Sequence, residues 1–141
     1  MNKENTKTAR FRMRCYLITN TSIRLTGNEI GEDMNFGIFP EGSFDEAEKT
    51  FLLTLNVVAT DKDKNLDLSL TIKGLFEYDT DDMSELIPYI SMNAPAIMFP
   101  YIRAYISNIT ALGGTQPIIL PTLNVEGVGL ELLEKMGFAK K

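Results

Sequence analysis

A chain of 141 residues, 44% apolar and 23% charged, has the size and composition of one folded domain. Its net charge of −5 argues against nucleic acid as a partner. The absence of histidine removes the commonest general base and metal ligand, and one cysteine, Cys15, leaves no disulfide within the chain. The opening Met1-Asn-Lys-Glu-Asn-Thr-Lys7 is polar and leads into no apolar run, so no signal peptide is expected, and a cytoplasmic location is.

Residues 1–9 are expected to form a flexible polar tail, and residues 10–138 a single domain. From Arg10 the pattern alternates, with Phe11, Met13, Cys15 and Leu17 on one face and Arg12, Arg14 and Tyr16 on the other. That predicts a half-buried strand with Cys15 in the core, interrupted near Asn20–Ser22 and resumed at Ile23 and Leu25. Charge is uneven along the chain. Residues 1–25 hold six basic residues against Glu4, whereas residues 26–93 hold fifteen acids against four lysines. The basic start reads as a solvated strand face.

Gly27-Asn28 marks a turn, and Met34, Phe36 and Ile38 alternate through a short second strand that Pro40 and Gly42 are expected to end. Phe51, Leu53, Leu55, Val57 and Ala59 give the clearest strand. The charged connection Asp61–Asn65 then leads to a fourth, with Leu66, Leu68, Leu70 and Ile72 on its apolar face. Gly74 suggests a bulge or bend before Leu75-Phe76. Short links between successive strands predict an antiparallel meander.

After the acidic connector Glu77–Glu85 the period becomes helical. Ile102, Tyr105, Ile106 and Ile109 follow the i, i+3, i+4, i+7 spacing, and Gly113-Gly114 is a stop. Pro100 implies that this helix either begins near Ile97 or kinks there. A second helix is expected near Glu126–Met136, weakened by Gly127 and Gly129 by roughly 1 kcal/mol each relative to alanine. The fold class is therefore α+β: a four-stranded antiparallel sheet with a long helix and a shorter C-terminal helix on one face.

Arg103 is the only charged residue from Leu86 to Val125. Pro88, Pro95, Pro100, Gly113, Gly114, Pro117 and Pro121 cut this run, which excludes a membrane span. A helix covered on both sides explains it better, one side on the sheet and the other on further copies of the chain. Ile102, Tyr105, Ile106, Ser107, Asn108 and Ile109 are the candidate interface residues. The loop Ile118-Ile-Leu-Pro-Thr-Leu123 is too apolar for a solvated connection. It reads either as a lid over the chain's own core or as the wall of a groove for other chains. No nucleophile motif, phosphate loop or triad is present, so neither enzymatic activity nor a metal, nucleotide or other cofactor is expected.

Pro95-Ala-Ile-Met-Phe-Pro-Tyr-Ile-Arg103, followed by Gly114-Thr-Gln-Pro117 and then Leu120, Pro121, Asn124 and Val125, resembles the signature region of the SecB family of protein-export chaperones. The resemblance implies a homotetramer, a dimer of dimers with the long helices in the middle. It implies a chaperone that works without ATP, binds unfolded or precursor proteins in apolar grooves, keeps them competent for export and delivers them to SecA. The matching groove residues are Met34, Phe36, Ile38, Ile118, Ile119, Leu120 and Leu123. Methionine and aromatic side chains suit such a surface because they repack around many sequences. Family members dock on SecA through acidic residues of the outer sheet face. Here Thr21-Ser-Ile-Arg-Leu25 carries no acid, and in the fourth strand Asp67 remains but Ser69 stands where an acid is expected. The alternative is a SecB-like module dedicated to one partner, such as an antitoxin.

Overall fold

The computed structural model describes residues 10–122 and 124–138. The expected tail at 1–9 lies outside them. Four strands come first: β1 (Phe11–Leu25), β2 (Met34–Asp45), β3 (Thr50–Asp61) and β4 (Leu66–Tyr78). A short helix α1 (Met83–Pro88), a π-helical turn (Tyr89–Asn93), the long helix α2 (Ala94–Leu112) and α3 (Val125–Lys135) follow. This is the expected α+β architecture, with α1 and the π turn added where only a loop is legible in the sequence.

The strand order is β1-β4-β3-β2, all pairs antiparallel. The meander expectation therefore holds for β2-β3-β4 but fails for β1. That strand lies beside β4, and its connection to β2, residues 26–33, spans from one edge of the sheet to the other. This is a Greek-key arrangement, and that crossing connection becomes one wall of the site.

β1 departs from simple alternation. Met13 pairs with Phe76 and Cys15 with Leu75, which leaves Arg14 as an extra residue, and a second shift falls between Ile18 and Asn20. An extra residue turns the following side chains to the other face. Phe11 is buried under the helices, but Cys15 is exposed on the outer face and Leu17 is 65% exposed, so neither belongs to the core. Tyr16 and Ile18 turn to the inner face instead, opposite Gly74 and Ile72, where Ile18 packs against the core and Tyr16 stays exposed. The basic residues of this strand are not simply solvated. Arg12 and Arg14 both reach Glu77 on β4, and Arg10 reaches Asp79 and Glu85. These pairs are exposed and contribute little stability, yet they match the basic start of the chain to its acidic middle.

β2 does not end at Pro40 but runs on to Asp45. An edge strand tolerates proline where the missing N–H would have faced away from its neighbour, and Lys135 of α3 donates to the Pro40 carbonyl at 3.1 Å. Gly74 sits in unbroken register with both neighbours rather than at a bulge. A side chain there would meet the Met98 sulfur at 2.7 Å, so the glycine is a socket for α2.

The inner sheet face, with Phe51, Leu53, Leu55, Leu68, Leu70, Ile72 and Phe76 fully buried or nearly so, packs against α2 and α3. α2 begins at Ala94 and carries Pro100 within it, on an exposed position. It buries Met98, Ile102, Ile106 and Thr110, and each of its large apolar side chains contributes about 1.5–3 kcal/mol. Ile102 and Ile106, expected between copies of the chain, are 0% exposed within this one. The i, i+3, i+4, i+7 series marks the sheet-facing side, because that is where apolar contact is made first. The opposite side shows Ala96, Pro100, Ala104, Asn108 and Ala111, all exposed and uncharged. In α3, Gly129 is the contact point: an added Cβ would lie 1.8 Å from the Ser91 carbonyl oxygen of the π turn. Among the described residues no helix is long and apolar enough to cross a membrane.

Candidate functional site

Among the described residues a groove of about 1050 Å³ opens at one end of the sheet. Its floor is the start of β2, with Met34 and Phe36 half-buried. One wall is the crossing connection after β1, where among the described residues Ile30 is the only apolar side chain and Glu29 and Glu32 are the only charges of the lining. The other wall is the connection between α2 and α3, with Pro117, Ile118, Ile119 and Pro121. Ile119 is 61% exposed. A concave apolar surface with few polar groups is how polypeptide and small-molecule sites are built.

Each wall is fixed by side chains that bond to backbone. On the apolar wall the Thr110 hydroxyl is fully buried. It accepts from the Ile118 N–H at 2.9 Å and donates to the Ile106 carbonyl at 2.8 Å. Ser107 donates to the Ile118 carbonyl at 3.0 Å, and Thr115 donates to the Thr110 carbonyl at 3.0 Å. Leu120, 0% exposed, anchors the same loop in the core.

On the polar wall the partners come from the β3–β4 hairpin. The Asn65 side-chain oxygen accepts from the Thr26 hydroxyl at 2.8 Å, and its amide donates to the Glu29 carbonyl at 3.0 Å. Asp61, 1% exposed, accepts from the Gly31 N–H at 2.9 Å and from the Leu66 N–H at 3.0 Å. Those two hydrogen bonds hold its carboxyl below the usual aspartate range.

The sequence-derived candidates divide. Met34, Phe36, Ile118 and Ile119 come together as groove lining. Ile38 instead faces a small separate cavity with Leu55, Pro95, Phe99, Ile102, Val125 and Val128. Leu120 is withdrawn from the surface, so it supports the wall and cannot itself touch a ligand. Leu123 lies outside the described residues. The candidate interface divides as well. Tyr105 shares a hydrogen bond with Thr21 at 2.8 Å, Ser107 holds the groove wall, and Ile109 is half-buried, leaving Asn108 as the exposed member of the set. Missed altogether were the wall at 27–32 and its supports Asp61 and Asn65. Their residue types signal only turns, and nothing local shows that two turns distant in sequence meet.

Comparison with known proteins gives a consistent result. The family model described as preprotein translocase subunit SecB matches residues 38–131. An uncharacterized protein of Methanocaldococcus jannaschii is 31% identical over 100 residues, covering 67% of this chain and 64% of that protein. The protein-export protein SecB of Dechloromonas aromatica is 32% identical over 89 residues, covering 62% of this chain and 59% of that one. The match thus spans about six tenths of the length of these relatives. Among solved structures, a SecB-like chaperone of Mycobacterium tuberculosis, in complex with a peptide from an antitoxin, superposes with a TM-score of 0.70 at 18% identity. That superposition covers 82% of this chain and 91% of the other and shows a shared fold.

Proposed function

The chain belongs to the SecB family, and from that membership we propose that it is an ATP-independent chaperone that holds unfolded or precursor polypeptides and keeps them competent for export. The observation that carries this reading is the groove between residues 27–36 and 113–121, apolar on its floor and on one wall, with Ile119 left 61% exposed. Exposing such a side chain forgoes about 1.5–3 kcal/mol that burial contributes, and an extended apolar segment laid along the groove recovers it. Binding of this kind needs shape and dehydration rather than a particular sequence, which suits many clients. The two carboxylates of the other wall favour segments flanked by lysine or arginine.

In this reading the working particle is a cytoplasmic homotetramer assembled through the uncharged outer side of α2, Ala96, Pro100, Ala104, Asn108 and Ala111. Several grooves on one particle then add avidity for one long client. The test is suppression of aggregation of a denatured protein. Ile119→Ser combined with Met34→Ser is expected to weaken holding by at least about tenfold, from the apolar contact removed, with circular dichroism and particle mass unchanged. Holding equal to that of the native chain would remove the groove from consideration.

A second reading, a module dedicated to one partner such as an antitoxin, is favoured by the outer sheet face. There Lys73 lies beside Leu17, Arg24 faces Asp67, and Arg12 and Arg14 neutralise Glu77. An acidic docking face for SecA is not what these residues make. Binding of SecA to the purified chain would favour the export reading over the dedicated one.

A further inference from the structure

The polar wall of the groove has almost no apolar anchor. Of residues 26–32, only Ile30 is even half-buried. A segment without buried apolar side chains is positioned by its hydrogen bonds or not at all. Here those bonds converge on one place, the end of the β3–β4 hairpin. Asn65 uses both ends of its amide, accepting from Thr26 at 2.8 Å and Asn28 at 3.5 Å and donating to the Glu29 carbonyl at 3.0 Å, while its own carbonyl accepts from the Thr26 N–H at 3.1 Å. Asp61 joins the hairpin to the wall by accepting from both Leu66 and Gly31. The opposite wall, by contrast, hangs from Leu120 and Thr110 inside the core.

We propose that Asn65 and Asp61 are positioning residues that set the width of the groove by clasping its polar wall, so that the hairpin end governs how long a client stays bound. This rests on the reading of the groove as the client site. Asn65 never touches the client. It acts through Thr26, Asn28 and Glu29, and its loss lets residues 26–31 move away from Met34 and Phe36 and admits water to the apolar floor. The association rate is untouched, because the groove stays open to solvent in either case.

The experiment uses the full chain, a fluorescent synthetic peptide rich in leucine, phenylalanine and lysine, and amide hydrogen exchange. Asn65→Ala removes the side-chain tether while keeping the hairpin backbone. It is expected to raise the dissociation rate about tenfold with no change in association, and to speed exchange at residues 26–31 while β3 and β4 stay protected. Asn65→Asp keeps the acceptor for Thr26 but loses the donor to Glu29, and is expected to shift dissociation in the same direction by a smaller factor. A dissociation rate equal to that of the native chain in Asn65→Ala overturns the proposal, as does faster exchange spread through β3 and β4, which marks a general loss of stability. The groove reading is judged separately: if Ile119→Ser with Met34→Ser binds the peptide as the native chain does, that reading fails and takes this one with it. Native-like binding by Asn65→Ala alongside loss of binding in the groove variant overturns only the clasp.

Discussion

The two walls of the groove are made of opposite materials and held by different means. Residues 113–121 present Ile118 and Ile119 to the groove and are secured from behind by buried groups, the Thr110 hydroxyl and the Leu120 side chain. Residues 26–32 present Glu29 and Glu32 and are secured from the side, by Asn65 and Asp61 of a hairpin end. If the groove holds clients as we propose, affinity for apolar segments and the geometry of the groove reside in different stretches of chain. Apolar contact is non-directional and tolerates varied partners, whereas a hydrogen-bonded clasp fixes one position, so a promiscuous site gains from having one wall of each kind.

The largest effect expected from this contrast concerns two adjacent residues of α2. Asn108 is exposed on the uncharged outer side, while its neighbour Ser107 holds the Ile118 carbonyl of the apolar wall. Asn108→Lys places a charge on the face we assign to assembly and is expected to split the particle outright, measured as mass in solution, with peptide binding per groove retained. Ser107→Ala is expected to leave the mass unchanged and to weaken peptide binding by the value of one hydrogen bond, about 0.5–1.5 kcal/mol. An unchanged mass for Asn108→Lys would remove the outer side of α2 from the interface.

The next effect tests how the apolar wall is anchored. Thr110→Val keeps the shape but strands the Ile118 N–H. Leaving such a group unpaired costs about 1–3 kcal/mol, which urea unfolding reads as a lower midpoint, with little change in its slope. Stability equal to that of the native chain would mean that water replaces the hydroxyl and that Leu120 alone holds the loop.

The smallest effect separates the walls by acid. Folding lowers the Asp61 pKa from its ordinary value of 3.8, chiefly through the Gly31 and Leu66 N–H groups. A carboxylate depressed in this way contributes stability that is fully present above its unfolded value and is lost as pH falls through the folded one. The polar wall is therefore expected to keep its exchange protection from neutral pH down to about pH 5 and to lose it below 3.8. The Thr110 tether holds no titratable group and should be indifferent over the same range. Asp61→Asn should abolish the acid step at residues 26–31. An acid step that persists in this variant would trace to other carboxylates.

How much of this was legible in the sequence differs by element. The apolar alternation of β3 and β4 survives intact in the structure because nothing interrupts their register. Ile118 and Ile119 stood out in the sequence because so apolar a loop has no solvated explanation, whereas Met34 and Phe36 joined them only through the resemblance to the SecB family; the structure brings all four to one groove. The fate of Cys15 was not legible, since one extra residue at Arg14 turns the strand over and no local pattern announces it. Gly74 reads as a bulge or bend and Gly129 as a weak point of its helix, yet both are contact surfaces, for Met98 and for the Ser91 carbonyl.

By itself the sequence determined the class of fold, the order of its four strands and two longer helices, the apolar loop and the signature that places the chain in its family. These follow from local period, local turn chemistry and short motifs, which act between near neighbours and are written in consecutive residues. Only the tertiary structure decided that β1 crosses to β4, that Ile102 and Ile106 face the sheet rather than another copy, and that Asn65 and Asp61 clasp residues 26–31. The physical reason is common to all three. Each depends on which distant surface an element meets, and a side chain's neighbours across a fold are set by packing of the whole, not by the residues beside it in the chain.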